Sequence, residues 1–347
     1  MAISTVTIKD CKRWDKTVRS FSDHDVYYLS GYLRGFQIHG DGEPLLICYE
    51  SPYGTCRGIN AVMKRRISDA PEFYNVKEAE GLYDLATPYG YGGWLFEGSV
   101  PEDFGDEYSA FCREHNIVSE FVRFNPMTGN CEDCKDFYDT AQLGETVYID
   151  LKDEDSVWSS FSSKNRNVIR KAVKEGVVIK STDEPWIIDE FMEIYNATMD
   201  RDCAADYYYF KREYYESIFT GLKDNYRFFY AEYDEKIIAV SIILMGCGKL
   251  HYHLSASRKE YQRYAPTNLL LWEVCKFGIE NGYGSFHLGG GVGSKEDSLY
   301  KFKKAFNRNE NKRFAIGRTV FDMEKYDMLV KARDTIDNPG FFPLYRG

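Results

Sequence analysis

The sequence predicts an α/β fold with mixed sheets, divided into two domains. Length is the first observation, because 347 residues exceed the size that a single hydrophobic core usually supports. Composition is the second, since 44% hydrophobic and 16% aromatic residues suffice for substantial cores. Patterning is the third: from Leu151 onward, the order is helix, strand, two helices, three strands, helix, strand and helix. We place the domain boundary near the strand at 147–151.

Charge and cysteine usage exclude several classes of protein. A net charge of −10 argues against binding DNA through overall charge. No apolar run is long enough for a transmembrane segment, so none is expected. The nine cysteines form no disulfide framework, which indicates reduced thiols and a cytoplasmic protein. Cys131 and Cys134 form a CxxC without a second ligand pair, so we expect no metal site.

An aromatic, glycine-rich loop marks the first domain. In TPYGYGGW, glycines interleave with Tyr89, Tyr91 and Trp94. These rings either cap an edge of the core or form a wall for an extended sugar or peptide, with Tyr89 and Tyr91 as candidate contacts. The flanking predictions are strands at 45–49, 59–63 and 117–124 and a helix at 101–116.

The second domain begins with a long basic helix. Capping residues at 153–156 and Gly176 bound the pattern. Its basic face either lies in solvent or contacts phosphate. That face comprises Lys164, Arg166, Arg170, Lys171 and Lys174. The elements predicted after it are a strand at 177–180, helices at 185–199 and from Tyr207, a three-strand antiparallel meander and a helix opened by Pro266.

The stretch HLGGGVGSKEDSLYKFKKAF, residues 287–306, has the pattern of a site. A short strand leads into Gly289, Gly290 and Gly291, which indicates unusual backbone angles or close approach of another group. In the helix that follows, Tyr300 and Lys303 share a face. Lys303 is either a placed charge beside buried aromatic rings or part of a solvated helix edge. No phosphate-binding GxxxxGK[ST] motif is present.

Three histidines fall on predicted strands. His251 and His253 alternate along one strand and should face the same side of the sheet, with Ser255 continuing the row. His287 should lie on a nearby strand. We rank a base relay or hydrogen-bonding role for the trio first, a structural cluster second and a metal site third, because no carboxylate completes a ligand set.

Several segments, taken in order, resemble the FemABX family. They are SSKNRNVIRKAVKEGV, HYHLSAS, APTNLLLWEVCKFGIENGYGSFHLGGG and SLYKFKKAF, and TPYGYGGW is similar to a loop in the family's first domain. That family comprises aminoacyltransferases that build peptidoglycan interpeptide bridges and related N-acyltransferases. The resemblance implies two tandem GNAT-like acyltransferase domains. The first would span residues 1–146, with 312–347 packing back on it, and the second, holding the main site, would span 147–311.

The resemblance also implies a transferase that moves an acyl or aminoacyl group onto a primary amine of a cell-wall or surface-polysaccharide precursor. Lys303 matches the lysine of the family's FKxxF motif, which binds substrate and stabilises charge at the reacting carbonyl. Lys211 and Tyr215 match positions that contact the acceptor's phosphates and sugar. No tightly bound cofactor is implied, and the co-substrate is acyl-CoA or aminoacyl-tRNA. The glycine-free stretch RKEYQRYAPTNLL favours tRNA, whereas the acidic net charge weighs against it.

Two departures from the family pattern concern the chemistry. His287, in FHLGG, stands where the family often has the aspartate of YDLGG, and FKKAFNR replaces FKKGFGG with Ala305, Asn307 and Arg308. The candidate catalytic residues are therefore Lys303, His287 and His253, with His251, Tyr300 and the glycines in substrate binding. The alternative is a non-catalytic protein of the same fold that binds a sugar or peptide.

Overall fold

The computed structural model of the chain describes residues 2–333 and 335–347. Tertiary contacts divide the chain into two compact units. Unit 1 comprises Met1–Leu143 and Phe314–Gly347, and unit 2 comprises Gly144–Arg313. The prediction of an α/β fold with mixed sheets is confirmed.

Unit 1 is built mainly from the N-terminal part of the chain. Its elements are, in order, β1 (Ile3–Thr7), α1 (Cys11–Arg19), α2 (Ser30–His39), β2 (Glu43–Glu50), β3 (Cys56–Arg66), β4 (Tyr83–Ala86), β5 (Leu95–Gly98), α3 (Phe104–Glu114) and β6 (Ile117–Arg123). Trp94 lies at the centre of its core and packs edge-on against Phe104 and Tyr108.

Unit 2 contains most of the remaining elements. They are β7 (Asp139–Asp150), where the division between the units falls, α4 (Glu154–Ser160), α5 (Ser163–Lys174), β8 (Val178–Thr182), α6 (Ile187–Arg201), α7 (Arg212–Leu222), β9 (Tyr226–Tyr233), β10 (Lys236–Gly246), β11 (Lys249–Ser257), α8 (Pro266–Glu280), β12 (Ser285–Gly289) and α9 (Ser298–Lys304). The chain then passes through β13 (Lys312–Val320) into α10 (Met323–Lys331) of unit 1.

Within each unit, parallel and antiparallel strand pairs occur together. In unit 1 the strand order is β1-β2-β3-β4-β6-β13, with β5 also paired to β3, and only the β4–β6 pair is parallel among these pairings. In unit 2 the order is β7-β12-β11-β10-β9-β8, and the β11–β12 pair is parallel. The helices α5 and α8 share the core of unit 2 with its central strands, represented by Ile169, Leu270 and Ile243.

Two predicted helices have different bounds in the structure. The prediction of one long basic helix is wrong, because the helix is interrupted at Phe161 and Ser162, both of which have extended backbone angles. Ser162 then starts α5, since its side chain accepts a hydrogen bond from the Asn165 backbone N–H. Similarly, Tyr207 lies in a short 3-10 turn, and α7 begins only at Arg212.

Candidate functional site

The pairing between the parallel strands β11 and β12 of unit 2 is short. β11 and β12 pair over only three register positions, from Lys249 with Ser285 to His251 with His287. Beyond His251, β11 continues to Ser257, whereas β12 ends at Gly289. Because paired strands use their backbone groups on each other, the backbone beyond His251 and His287 is not used in this pairing. The place where the pairing stops is called the strand split below.

A β-bulge lies beside the strand split. Ile242 pairs with Leu254 and Ile243 pairs with Tyr252, so His253 is an extra residue in β11. Strict alternation of side chains holds only where a strand has no bulge. The Ser255 hydroxyl accordingly lies 2.8 Å from that of Ser241 and hydrogen-bonds with it. The predicted row of His251, His253 and Ser255 is therefore wrong in its last member.

The three histidines lie close together in unit 2. His251 and His287 are buried, and their rings meet edge-on with centroids 5.6 Å apart. His253 Nε2 hydrogen-bonds with the Tyr214 hydroxyl at 3.0 Å. Burial, reinforced by the nearby His251, lowers the pKa of His253 to about 3. His253 is therefore neutral at physiological pH and too weak a base to deprotonate an ammonium group, which leaves a hydrogen-bonding role for it.

Contacts within the chain explain the three consecutive glycines Gly289, Gly290 and Gly291 at the end of β12. Gly289 has a φ of +78°, a left-handed angle that disfavours side chains. A Cβ on Gly290 would lie 2.9 Å from the Glu145 carbonyl oxygen. At Gly291 the same atom would lie 2.1 Å from the Lys295 carbonyl oxygen and 2.3 Å from Asp297 Oδ1. The glycine run thus allows the loop to fold tightly onto itself and onto β7.

Gly291→Ala is expected to destabilise unit 2 by about 1–3 kcal/mol, because the new methyl group would overlap backbone rather than a movable side chain. Urea denaturation of the purified protein measures the effect. Gly284→Ala is the matched control, since the nearest atom to its Cβ would be 3.8 Å away. Equal midpoints for the two variants would contradict the tight loop.

Lys303 is a buried cation fixed by the glycine loop. Its side chain is 8% exposed, and Nζ donates a hydrogen bond to the Gly290 carbonyl oxygen at 2.7 Å. Burial lowers the pKa of Lys303 to about 8, although the carboxylate of Asp297 opposes that shift. The predicted solvated helix edge is not what the structure has at this position. An ammonium with reduced hydration and a fixed position is suited to stabilise negative charge on a reacting oxygen.

Tyr300 belongs to a hydrogen-bonded group that anchors α9. Its hydroxyl donates to Glu145 Oε2 at 2.9 Å and accepts from Asn311 Nδ2 at 2.8 Å. Burial and the Glu145 carboxylate together raise the pKa of Tyr300 to about 12. Asn311 also donates to Glu145 and, with Tyr300, lowers the pKa of that carboxyl group. Tyr300 thus positions the helix that carries Lys303.

Sequence reasoning missed several residues of this region. Asp297 caps α9, and an acidic residue before a helical pattern is a signal that could have revealed it. Glu145 and Tyr214 approach Tyr300 and His253 from distant parts of the chain. No local pattern in the sequence points to such pairs.

The predicted contacts on α7 differ in their surroundings. Lys211 is exposed and directly precedes the helix. Tyr215 is 1% exposed and packs edge-on against Phe191, and within the described part of the chain its hydroxyl has no hydrogen-bond partner. In this structure Tyr215 therefore contributes to the apolar core, and Lys211 is the accessible member of the pair.

The glycine-aromatic loop belongs to unit 1 and is held from several sides. The Tyr32 hydroxyl donates to the Tyr89 carbonyl oxygen, and Arg123 Nε donates to that of Gly90 at 2.9 Å. Tyr91 packs edge-on against Tyr27 and burial raises its pKa to about 12. Tyr89 and Tyr91 remain partly exposed. The loop is therefore compatible with both interpretations, a cap on the core and a wall for a ligand, because it packs on the core and still presents ring surface to solvent.

The chain is similar in sequence and fold to several known proteins. Residues 159–304 match the model of an acetyltransferase (GNAT) domain. The chain is 26% identical over 235 residues to UDP-N-acetylmuramoylpentapeptide-lysine N(6)-alanyltransferase of Weissella viridescens, a match that covers 66% of each protein, just under two thirds. The chain is FemABX-like. The crystal structure of FemX superposes with a TM-score of 0.68 at 13% identity, covering 94% of this chain and 99% of FemX.

A second solved structure supports the tandem arrangement of the FemABX-like chain. A tandem GNAT protein from the clavulanic acid biosynthesis pathway matches with a TM-score of 0.50 and 11% identity, covering 92% of this chain and 98% of that protein. The predicted GNAT fold is confirmed.

Residues 2–333 and 335–347 include no helix that combines the length and apolar character needed to cross a membrane. They also contain no group of three or more His, Cys, Asp or Glu side chains arranged to hold a metal ion.

Proposed function

We propose that the FemABX-like chain transfers an aminoacyl group from aminoacyl-tRNA onto a primary amine of a peptidoglycan precursor. The observation that carries the proposal is the buried ammonium of Lys303 on α9. It donates a hydrogen bond to the carbonyl oxygen of Gly290, a residue of the loop that follows the strand split. The Weissella relative is named for alanyl transfer to a lysine N6 of UDP-N-acetylmuramoylpentapeptide. A lysine side-chain amine in such a precursor is therefore the acceptor we propose.

The proposed chemistry is acyl transfer through a tetrahedral intermediate. The neutral amine attacks the ester carbonyl of the donor, a C–N bond forms and the carbonyl oxygen gains negative charge. The C–O ester bond then breaks, and the proton lost by the amine ends on the released ribose hydroxyl. The Gly290 carbonyl takes one of the three N–H donors of Lys303, which leaves two for the oxyanion. Stabilising that oxyanion lowers the barrier.

The start of α8 favours tRNA over acyl-CoA as the donor. Acyl-CoA sites of this fold place pyrophosphate against backbone N–H groups at a glycine-rich helix start. In this chain Pro266, which has no backbone N–H, begins α8, and Ala265 before it has a φ of +51°. The preceding residues, Lys259–Tyr264, form a 3-10 turn without glycine. These features supply few donors for a pyrophosphate group.

The remaining candidate residues have roles in binding under this proposal. His251, His253 and His287 line the region of the strand split and supply hydrogen bonds there, because at least His253 stays neutral. Lys211 contacts phosphates of the acceptor, and Tyr89 and Tyr91 contact its sugar or peptide.

The residues that depart from the family pattern after Lys303 act in packing. Asn307 is buried, and its Nδ2 donates to the Tyr148 carbonyl oxygen at 2.7 Å. Arg308 donates to the Ser159 carbonyl oxygen at 2.6 Å, and the Ala305 carbonyl accepts from Ser162. None of these contacts involves Lys303, so the altered segment is compatible with catalysis.

Cysteine chemistry supports a cytoplasmic location as part of the proposal. None of the nine cysteines forms a disulfide within the described residues, and burial raises the pKa of Cys112 and Cys275. Buried thiols outside disulfides fit a reducing compartment.

Mass spectrometry of the precursor after incubation with the enzyme tests the proposal. We expect UDP-N-acetylmuramoyl-pentapeptide containing lysine to gain the mass of one aminoacyl residue when a mixture of charged tRNAs is supplied. Acetyl-CoA as the sole donor should give no product. Thermal stabilisation by the precursor without product from either donor would indicate the non-catalytic alternative, because binding alone stabilises a protein by mass action.

A further inference from the structure

We propose that Asp297 is a positioning residue for Lys303: its carboxylate holds the glycine loop on α9, so that the Gly290 carbonyl meets the ammonium, and its charge keeps that ammonium protonated. The inference rests on the proposed function for its kinetic consequences. Its structural basis lies in the contacts of Asp297, which is the N-cap of α9 and half-buried.

Both carboxylate oxygens of Asp297 are engaged by backbone groups on opposite sides of the loop. Oδ1 accepts from the Tyr300 N–H at 2.8 Å, inside the first turn of α9. Oδ2 accepts from the Val292 N–H at 3.1 Å, directly after the glycine run. One side chain therefore ties the end of the glycine loop to the helix that carries Lys303.

Gly291 transmits this restraint to the group that holds Lys303. A Cβ at Gly291 would lie 2.3 Å from Asp297 Oδ1, so the carboxylate packs directly against the glycine backbone. The preceding residue, Gly290, supplies the carbonyl oxygen that accepts from Lys303 Nζ at 2.7 Å. A displacement of Asp297 would thus move the carbonyl that orients the ammonium.

Charge gives Asp297 a second effect on the same lysine. Burial raises the pKa of Asp297, but hydrogen bonds from Tyr300 and Val292 and the charge of Lys303 bring it below its usual value, so Asp297 is ionised at neutral pH. Its negative charge favours the protonated form of Lys303 against desolvation.

The other charged groups around α9 have different partners. Glu145 on β7 bonds with Tyr300 and Asn311, and Lys304 Nζ donates to the Asn309 carbonyl oxygen. Glu296 and Lys301 are exposed. Asp297 is therefore the acid on which the protonation of Lys303 depends most.

Asp297→Asn tests the inference, because the amide has the same shape but lacks the charge. We expect kcat to fall about tenfold, with KM for both substrates within about threefold of wild type. We also expect the decline of kcat at high pH to begin about one pH unit lower, since less negative charge favours the neutral amine of Lys303. Glu296→Gln, which removes the neighbouring exposed charge, should leave both kcat and the pH profile unchanged.

Asp297→Ser separates positioning of Lys303 from simple helix capping. Serine retains an N-cap acceptor but neither the charge nor the second oxygen. We expect Asp297→Ser to lose activity like Asp297→Asn. Wild-type kcat and pH profile in either folded variant, or an equal loss in Glu296→Gln, would overturn the inference.

A chemical measurement keeps this test independent of the proposed function. The pKa of Lys303 follows from its rate of competitive acetylation by acetic anhydride as a function of pH, read by mass spectrometry of the peptide. We expect a value near 8 in wild type and a lower one in Asp297→Asn. An unchanged value in the variant overturns the role of Asp297, whereas absence of transfer by wild type counts only against the proposed function.

Discussion

Lys303→Met is expected to lower kcat for aminoacyl transfer by about 10²–10³-fold, because the variant loses the one fixed cation proposed for the oxyanion. Methionine has nearly the length of lysine and no charge, so it fits the same buried position. KM for the precursor should change little, since the interaction strengthens as charge develops in the transition state. Steady-state kinetics with charged tRNA and the precursor measure both quantities.

The thermal midpoint of Lys303→Met distinguishes a loss of catalysis from a loss of folding. Lys303 is buried as a cation with a pKa of about 8, so replacing it by an apolar side chain removes a desolvated charge. We therefore expect an equal or higher thermal midpoint for Lys303→Met. The matched control is Lys301→Met on the exposed side of α9, which should retain wild-type kcat. A kcat for Lys303→Met within about threefold of wild type would refute the electrostatic role.

The same lysine predicts a pH dependence. The ammonium form is the active form, and its pKa of about 8 means that it predominates at pH 7 and is lost as the pH rises through about 8. With the acceptor saturating, kcat should therefore fall above this pH, and the limb should disappear in Lys303→Met.

Asp84→Ala is expected to destabilise unit 1 by about 3–5 kcal/mol, the usual effect of removing one partner from a buried ion pair. Asp84 is fully buried on β4. It accepts hydrogen bonds from Arg65 Nε at 2.7 Å, Arg346 Nε at 2.5 Å and the Tyr345 hydroxyl at 3.1 Å. Alanine would leave two partly buried guanidinium groups without their counter-charge and would release the C-terminal segment from the sheet.

Urea denaturation combined with hydrogen exchange measures this effect and locates it. Two compact units need not unfold together, so exchange should report the loss in peptides of unit 1. Asp69→Ala is the control, because Asp69 pairs with Arg66 at 3.9 Å on the surface, where both side chains are mostly exposed. A similar small change in the two variants would show that Asp84 is not an anchor for the C-terminal segment.

Local patterns in the sequence were sufficient for much of the fold. Tight turns between apolar runs predicted the antiparallel meander that the structure has as β9, β10 and β11, and Pro266 predicted the start of α8. The glycine run followed by a helical pattern indicated the loop and α9. These features depend on neighbours within a few residues, which is why they can be recognised without tertiary structure.

The resemblance to the FemABX family predicted more about this chain than hydrophobic periodicity did. The order of motifs indicated a FemABX-like chain with tandem GNAT-like domains, and the comparisons agree on the family and the fold. The bulge at His253 was not predictable from alternation, because alternation presumes an uninterrupted strand. The break at Phe161 was missed because apolar residues continued the helical pattern across it.

The sequence by itself determined that residues 287–306 combine a strand, a glycine loop and a short helix carrying Lys303. Only the tertiary structure determined the environment and the protonation state of that lysine. Its burial, its bond to Gly290 and the carboxylate of Asp297 together set its protonation. Glu145, which is distant in the chain, and Asn311, which directly precedes β13, anchor its helix through Tyr300. Desolvation and long-range hydrogen bonds depend on residues that meet only after folding, so a placed catalytic charge and a solvated lysine look alike in the sequence.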